Sequence, residues 1–292
     1  MRCFNWVFVV MMATIIAPSA ERAVAAPLPN DPNLVLWMRA DNGVTGTSPV
    51  TAIADSSVNG NNLIGVGAPQ LASRAFATGS KSVIRFNGSS YFYVSNSIPL
   101  DLANASIYIV GTQQNGSALS QSYVANYGPS FSGYAVGISD SAANKVKFYT
   151  SHGSGQSSLE PFTVADETPF MLTATFDSAN NKDLYLNGGS AFHDGADAHP
   201  TYGITNQFSI GALDIDGNAT PGTGYIQGIV GDIAEILIYK NVNAAQQADV
   251  QAYLSNKYFA PVPEPSTIAT ALLGIVGFSF CGRGRGGRRG TN

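Results

Sequence analysis

Residues 171–188 read MLTATFDSANNKDLYLNG, and this stretch carries the strongest signal for the fold. Two runs rich in β-branched and aromatic residues, 171–176 and 183–187, flank the segment 177–182, which consists largely of turn-forming Asp, Ser and Asn. The pattern predicts an antiparallel hairpin, after which Asn187 and Gly188 turn the chain again.

Alternating apolar and polar residues extend this interpretation along the chain. In 83–86, Ile84 and Phe86 share one face opposite Arg85, and in 145–148 two apolar residues oppose two lysines. The apolar run 233–239 predicts a central strand. Similar runs occur at 107–110, 123–126, 134–138, 208–210 and 225–230. The sequence therefore predicts an all-β fold built from many short strands.

A single helix is predicted near the end of the domain. Asn243 can cap it with Gln246 three residues later. An apolar stripe at helical spacing consists of Val250, Tyr253, Leu254 and Tyr258. This helix is expected to pack against the strands as an end piece.

The two chain ends predict export. Arg2, an apolar run at 4–17 and small residues at Ala23 and Ala25 are typical of a signal peptide covering 1–25. At the other end an apolar run, 268–281, spans only about 21 Å as a helix, short of a hydrocarbon core of roughly 30 Å. A transient anchor is therefore expected.

The order of features in the tail is specific. Pro263, Glu264 and Pro265 precede the apolar run, and a basic cluster follows it. That cluster consists of Arg283, Arg285, Arg288 and Arg289. Retained in the cytoplasm, these arginines would orient the rest of the chain outward. The tail, 261–292, resembles the PEP-CTERM sorting signal. The resemblance implies cleavage near the Pro-Glu-Pro motif by an exosortase in a Gram-negative bacterium that makes exopolysaccharide.

Residues 26–260 are expected to form one domain of about 235 residues. Both cysteines, Cys3 and Cys281, lie in the targeting segments, so the domain has no disulfide. Over 26–261 there are 9 Lys plus Arg against 17 Asp plus Glu, a net charge of −8, while the whole chain has −4. An acidic domain argues against nucleic acid as a partner and is compatible with cation binding.

A second resemblance covers most of residues 33–259. Its motifs are Leu36, Trp37 and Asp41; Asp55, Ser57, Asn59, Gly60 and Asn61; Phe86, Asn87 and Gly88; the continuous runs 184–188 and 231–239; and Tyr253 with Leu254. In order and spacing they resemble the laminin G-like branch of the concanavalin A-like jelly rolls. The resemblance implies a sandwich of two antiparallel sheets with one short C-terminal helix.

Calcium is the predicted cofactor, at one of two places. Asp55, Asn59 and Asn61 alternate oxygen-bearing side chains as a calcium loop does, although Val66 stands where an EF-hand has its bidentate acid. The alternative is a turn whose side chains cap their own backbone. The second group is Asp214, Asp216 and Asn218, with Asp232 later in the chain. A weaker transition-metal candidate combines His193, Asp194, Asp197 and His199, unless that loop is simply solvated.

Catalytic signals are weak. Glycosidases need two carboxylates flanking the scissile bond, and the closest pair here, Asp232 and Glu235, is expected to lie on opposite faces of a strand. Binding is better supported, because Tyr123, Tyr127 and Tyr202 stand near residues that can bond sugar hydroxyls. These tyrosines are the candidate glycan contacts.

The sequence therefore favours an exported, non-enzymatic protein of the cell surface, envelope or extracellular matrix that binds glycan or mediates adhesion. Its expected partners are an exosortase, an extracellular polysaccharide or surface glycan, and the membrane through the tail helix before processing. The alternative is a polysaccharide-active hydrolase or lyase on the same fold.

Overall fold

The computed structural model of the protein describes residues 29–96, 98–114, 120–128, 132–139, 144–152, 155–194, 199–203, 207–214, 225–241 and 243–260. In chain order its strands are β1 Leu34–Arg39, β2 Val44–Thr45, β3 Ala52–Ile53, β4 Leu63–Val66, β5 Gln70–Phe76, β6 Gly79–Asn87, β7 Tyr91–Val94, β8 Ala105–Gln113, β9 Gln121–Gly128, β10 Ser132–Ile138, β11 Val146–His152, β12 Gln156–Leu159, β13 Phe170–Phe176, β14 Lys182–Leu186, β15 Phe192–Asp194, β16 Gln207–Ile210, β17 Leu213–Asp214, β18 Tyr225–Ile226 and β19 Val230–Tyr239. A 3-10 turn covers Ile98–Leu100, and one helix, α1, covers Ala244–Tyr258.

Within these described ranges the strands form two large antiparallel sheets and a short ribbon. The first, which we call the helix-side sheet, has the order β15-β14-β13-β8-β19-β6-β5, and β1 also pairs with β19. The opposite sheet has the order β12-β11-β10-β9-β16-β7-β4-β3-β2, and β17 pairs with β18. The predicted sandwich of two antiparallel sheets is confirmed, and β19 is central as the apolar run predicted.

The main core lies between the two sheets. Ile84 and Phe86 point into it from β6, and Val146 and Phe148 enter it from β11, as the alternating pattern predicted. A second apolar cluster lies on the outer face of the helix-side sheet beneath α1. Each fully buried side chain of this size contributes roughly 1.5–3 kcal/mol to folding.

Helix α1 begins where the sequence predicts. The Asn243 side chain accepts a hydrogen bond from the Gln246 backbone N–H at 2.9 Å, which satisfies one of the free donors of the first turn. Val250, Leu254 and Tyr258 are the buried residues of the helix. The predicted apolar stripe is therefore the face that docks on the sheet.

The hairpin of β13 and β14 is also confirmed, with Leu172 opposite Leu186 and Phe176 opposite Lys182. Beyond it, Asn187 and Gly188 have φ angles of 53° and 69°, the left-handed conformation that a tight turn of this kind requires. The hairpin places Thr175 and Asp183 directly opposite each other.

A β-bulge interrupts β19. Its register against β8 shifts between Ile233 and Glu235, so one extra residue stands at Ala234. Ile233 and Ile236 both face the main core, whereas Ala234 belongs to the outer cluster beneath α1. The expectation that Asp232 and Glu235 lie on opposite faces is therefore wrong. The bulge breaks the two-residue alternation and brings both carboxylates to the outer face.

Candidate functional site

A polar cleft opens on the outer face of the helix-side sheet, beside the N-terminal end of α1. Its volume is about 470 Å³, within the range of small-ligand sites. It is lined by Asn104, Ala105, Ser106, Thr175, Phe176, Asp177, Asn181, Asp183, Tyr185, Asn241, Asn243, Ala244 and Gln247. We call it the outer cleft. Most of these side chains carry a hydroxyl, an amide or a carboxylate.

The floor of the outer cleft follows from strand register. Thr175 of β13 stands directly opposite Ser106 of β8 on one side and Asp183 of β14 on the other. Side chains paired in this way lie about 4.5–5.5 Å apart at Cβ. The Thr175 hydroxyl donates to Asp183 Oδ2 at 3.5 Å. Tyr185 lies two residues further along the same face of β14, so one aromatic ring borders a row of three polar side chains.

Asn104 holds the walls of the cleft together. Its Nδ2 donates to Asn241 Oδ1 at 2.9 Å, and its Oδ1 accepts the backbone N–H of Ser178 at 2.8 Å. These two bonds link the segment before β8 to the hairpin turn and to the segment before α1. The cleft is thus built from three parts of the chain that are distant in sequence.

Among the described residues that line the cleft, the charged groups are two carboxylates, Asp177 and Asp183. Asp177 accepts hydrogen bonds from the backbone of Ala179 and Asn181 and from the Asn181 side chain, at 2.8, 3.0 and 2.8 Å. Burial opposes its ionisation, but these bonds outweigh that effect and hold the pKa of Asp177 below its usual value. The Asp183 carboxylate contacts His193 Nδ1 at 2.7 Å. The site is therefore acidic.

The first predicted calcium group adopts its alternative arrangement, the capped turn. Asp55 Oδ1 accepts the backbone N–H groups of Trp37 and Ser57, and Oδ2 accepts the Asn61 N–H, each at 2.9 Å. Oδ2 also accepts the Ser57 hydroxyl at 2.7 Å. Asn59 and Asn61 donate their amide groups to carbonyl oxygens of β1 at 2.6 and 2.7 Å. The segment is therefore attached to β1 by hydrogen bonds that occupy these side chains.

The second predicted calcium group is divided. Asp216 and Asn218 lie outside the described residues, while Asp214 ends β17. Asp232 is fully buried and ion-paired with Arg74 at 2.6 Å and Arg85 at 2.8 Å, so its inclusion in a calcium site was wrong. Across the described part of the chain, no three His, Cys, Asp or Glu side chains are grouped as metal ligands would be. Of the transition-metal candidates, Asp197 also lies outside the described residues.

The predicted glycan tyrosines do not form a binding surface. Tyr123 is fully buried in the main core, with its ring edge-on to Phe170 at 5.5 Å. Tyr127 is buried against Tyr149 at the same centroid distance. Tyr202 is partly buried and donates its hydroxyl to a backbone carbonyl at 2.7 Å. The prediction was wrong because the large apolar area of these rings is used for packing.

The Glu235 carboxylate accepts four hydrogen bonds, all from side chains. It is fully buried and accepts from Trp37 Nε1 at 2.6 Å, Tyr253 at 3.1 Å, Lys257 at 2.7 Å and Tyr258 at 2.7 Å. Three of these donors belong to α1. Glu235 therefore attaches the helix to the bulged strand.

Sequence reasoning missed the residues of the outer cleft. One signal was available, because the alternation in 171–187 leaves Thr175, Asp183 and Tyr185 on the outer face of the hairpin. The contributions of Asn104 and Asn241 have no local signal, since they depend on contacts across more than one hundred residues.

The fold defines a class, the two-sheet jelly roll, and solved structures agree with it. Domain 4 of AbnA, an extracellular arabinanase from Geobacillus stearothermophilus determined with arabinotriose, is similar over 75% of this chain and 98% of its own, with 13% identity and a TM-score of 0.53. An arabinofuranosidase complexed with arabinofuranosyl-α-1,2-xylobiose is similar over 78% of this chain and 60% of its own, with 12% identity and a TM-score of 0.54. The binding domain of Paraclostridial Mosquitocidal Protein 1 is similar over 77% of this chain and 52% of its own, with 12% identity and a TM-score of 0.54. At these identities the likeness shows the fold.

The tail is identified by its own sequence. Residues 261–286 match the PEP-CTERM protein-sorting motif, so the chain carries that signal and is an exported protein, transiently anchored in the membrane. No curated protein sequence matches the chain. The signal peptide at 1–25 and the tail helix at 268–281 lie outside the described residues. Within the ranges that the structure describes, no helix is long and apolar enough to cross a membrane.

Proposed function

We propose that this protein is a non-enzymatic, glycan-binding component of the cell surface or extracellular matrix, and that the outer cleft is its binding site. The observation that carries the proposal is the cross-strand row of Ser106, Thr175 and Asp183 beside the ring of Tyr185. Hydroxyl and carboxylate groups bond sugar hydroxyls, while an aromatic ring packs on the apolar face of a sugar.

Two further observations support a glycan as the ligand. Two of the similar structures were determined with arabinose-containing oligosaccharides. Domain 4 of the arabinanase is matched over 98% of its own length, so a domain with this fold occurs as one part of an enzyme that acts on a glycan. Neither likeness determines the ligand of this chain.

The sorting motif supports the proposed location of the protein. The PEP-CTERM motif at 261–286 supports processing by an exosortase in the envelope of a Gram-negative bacterium, with release to the surface or to exopolysaccharide. Mass spectrometry of the mature protein tests this step. A mature form that ends before Arg283 is expected, and a mature form that retains Arg289 would contradict processing.

The binding test is a glycan array with the full-length protein purified in mild detergent. Binding to at least one polysaccharide is expected, and Thr175→Val should weaken it, because the variant keeps the side-chain shape and removes one hydroxyl. The matched control is Asp249→Asn, which removes an exposed carboxylate from α1 outside the cleft. Absence of binding across neutral and acidic polysaccharides would leave only a structural role.

The alternative, a hydrolase or lyase, is tested on the same polysaccharides. Support for a non-enzymatic role comes from Glu235 and Asp232, whose oxygens already accept hydrogen bonds from buried or partly buried donors. We expect no release of reducing ends or unsaturated products. Product release that Asp183→Asn abolishes would replace the binding proposal by an enzymatic one.

A further inference from the structure

We infer that the outer cleft selects uncharged sugars and rejects sugars that carry carboxylates. This inference rests on the proposed function and names the class of ligand for the same site. The carboxylates among the lining residues are Asp177 and Asp183, and no Lys or Arg is among the described residues that line the cleft.

Asp177 remains ionised at neutral pH. The hydrogen bonds within its turn favour the charged form, and they involve both carboxylate oxygens. The folded turn therefore keeps a negative charge at this wall of the cleft. A uronate entering the cleft would meet this charge, and no Lys or Arg among the described lining residues would offset it.

Asp183 stands at the floor of the cleft, where a ligand would be closest. Its partner His193 contacts Oδ1, while Oδ2 faces the Thr175 hydroxyl at the long distance of 3.5 Å. A carboxylate in this position accepts charge-assisted hydrogen bonds from sugar hydroxyls, which are stronger than bonds between neutral groups. The same group repels a second carboxylate.

The rest of the lining is suited to a neutral, hydroxyl-rich ligand. Amide side chains at Asn104, Asn181 and Asn241 offer both donors and acceptors, and Tyr185 offers a ring face. The domain as a whole has a net charge of −8 over residues 26–261, which adds a long-range repulsion for anionic chains. Local and global charges therefore favour the same class of ligand.

The experiment compares matched trisaccharides by isothermal titration calorimetry on the full-length protein in mild detergent. The neutral probes are arabinotriose, xylotriose and maltotriose, and the acidic probe is trigalacturonate. At low salt we expect at least one neutral trisaccharide to bind about tenfold or more tightly than trigalacturonate. Raising the salt concentration should bring the two affinities closer together, because screening weakens the repulsion between the cleft carboxylates and trigalacturonate.

The variant Asp183→Asn provides the decisive comparison. It should weaken the neutral trisaccharide several-fold and bring the ratio of affinities to within about threefold, because both the strong acceptor and the repulsive charge are lost. Asp249→Asn should leave both affinities unchanged. Thermal melting of each variant verifies that it is folded, and Tyr185→Leu, which should weaken neutral binding, provides a second readout.

The outcomes distinguish the two claims. Trigalacturonate binding as tightly as the neutral sugars, or an unchanged ratio in Asp183→Asn, would overturn the ligand class while glycan binding stands. Failure of every trisaccharide to bind would overturn the proposed function itself, and this inference with it.

Discussion

Tyr258, the last residue of α1, donates its hydroxyl to Glu235 Oε2 at 2.7 Å, and both side chains are buried. Lys257 donates to the same oxygen at 2.7 Å. The two residues join the end of the helix to the bulged central strand. The matched sorting motif begins at residue 261, three residues after the end of this helix.

Removing the Glu235 carboxylate should be strongly destabilising. In Glu235→Ala, the Trp37 indole and the two tyrosine hydroxyls lose a buried acceptor. Lys257 keeps its ion pair with Asp41 but loses the one with Glu235. Breaking a buried pair in this way costs about 3–5 kcal/mol. Urea unfolding followed by circular dichroism measures the loss. Asp249→Asn, an exposed carboxylate on the same helix, should change stability by no more than about 0.5 kcal/mol. Equal effects for the two variants would contradict this role for Glu235.

The hydroxyl of Tyr258 should matter more than that of Tyr253. Tyr258 is 2% exposed and bonds Glu235 at 2.7 Å, whereas Tyr253 is only partly buried and bonds it at 3.1 Å. Tyr258→Phe should cost about 1.5–3 kcal/mol, as expected for a hydrogen bond to a charged group, without creating a cavity. Tyr253→Phe should cost less in the same urea titration. The reverse order would contradict the geometry.

Stability should fall at alkaline pH. Burial, with the nearby charge of Glu235, raises the pKa of Tyr258 above its usual value. The unfolded chain therefore ionises first, near a pKa of about 10. This contribution is fully present below that pH and is lost as the pH rises towards the folded pKa. Unfolding free energies at a series of pH values should show the decline, and Tyr258→Phe should reduce its slope.

Stability should also fall in acid. The pKa of Asp177 is lowered, and that of Asp41 is lowered because hydrogen bonds from Arg39 and Lys257 outweigh its partial burial. In the unfolded chain these carboxylates have a pKa of about 3.9, so at low pH the unfolded state binds more protons than the folded state. The contribution is present above that value and is lost as the pH falls through the folded pKa values. In Asp177→Asn, the unfolding free energy should fall less steeply as the pH is lowered. The same acid dependence as in the wild type would contradict this.

Asp55 should stabilise the fold independently of calcium. Its oxygens accept four hydrogen bonds within the loop 55–61 and from β1, so Asp55→Asn should cost about 1–3 kcal/mol. Differential scanning calorimetry should show the same loss with calcium and with chelator. A loss seen only with calcium would restore the loop as an ion site. Binding at Asp214, Asp216 and Asn218 stays a prediction, which Asp216→Asn tests in the same scans.

Local patterns allowed the individual elements to be predicted well. The hairpin of β13 and β14, the capped start of α1 at Asn243 and the inward face of β6 each depend on neighbours within a few residues. The bulge at Ala234 could not be anticipated, since no residue type there marks it. One inserted residue was enough to reverse the predicted face of Glu235.

By itself, then, the sequence determined the sorting tail, the many short strands and the acidic character of the domain, because these follow from order, alternation and composition. The sandwich of two antiparallel sheets was implied by the resemblance to the concanavalin A-like jelly rolls. Only the tertiary structure decided which tyrosines are buried and which polar residues meet in the outer cleft. Ser106, Thr175 and Asn241 come together through pairing across three strands and a helix end. Such contacts depend on register and topology, which short-range patterns do not encode.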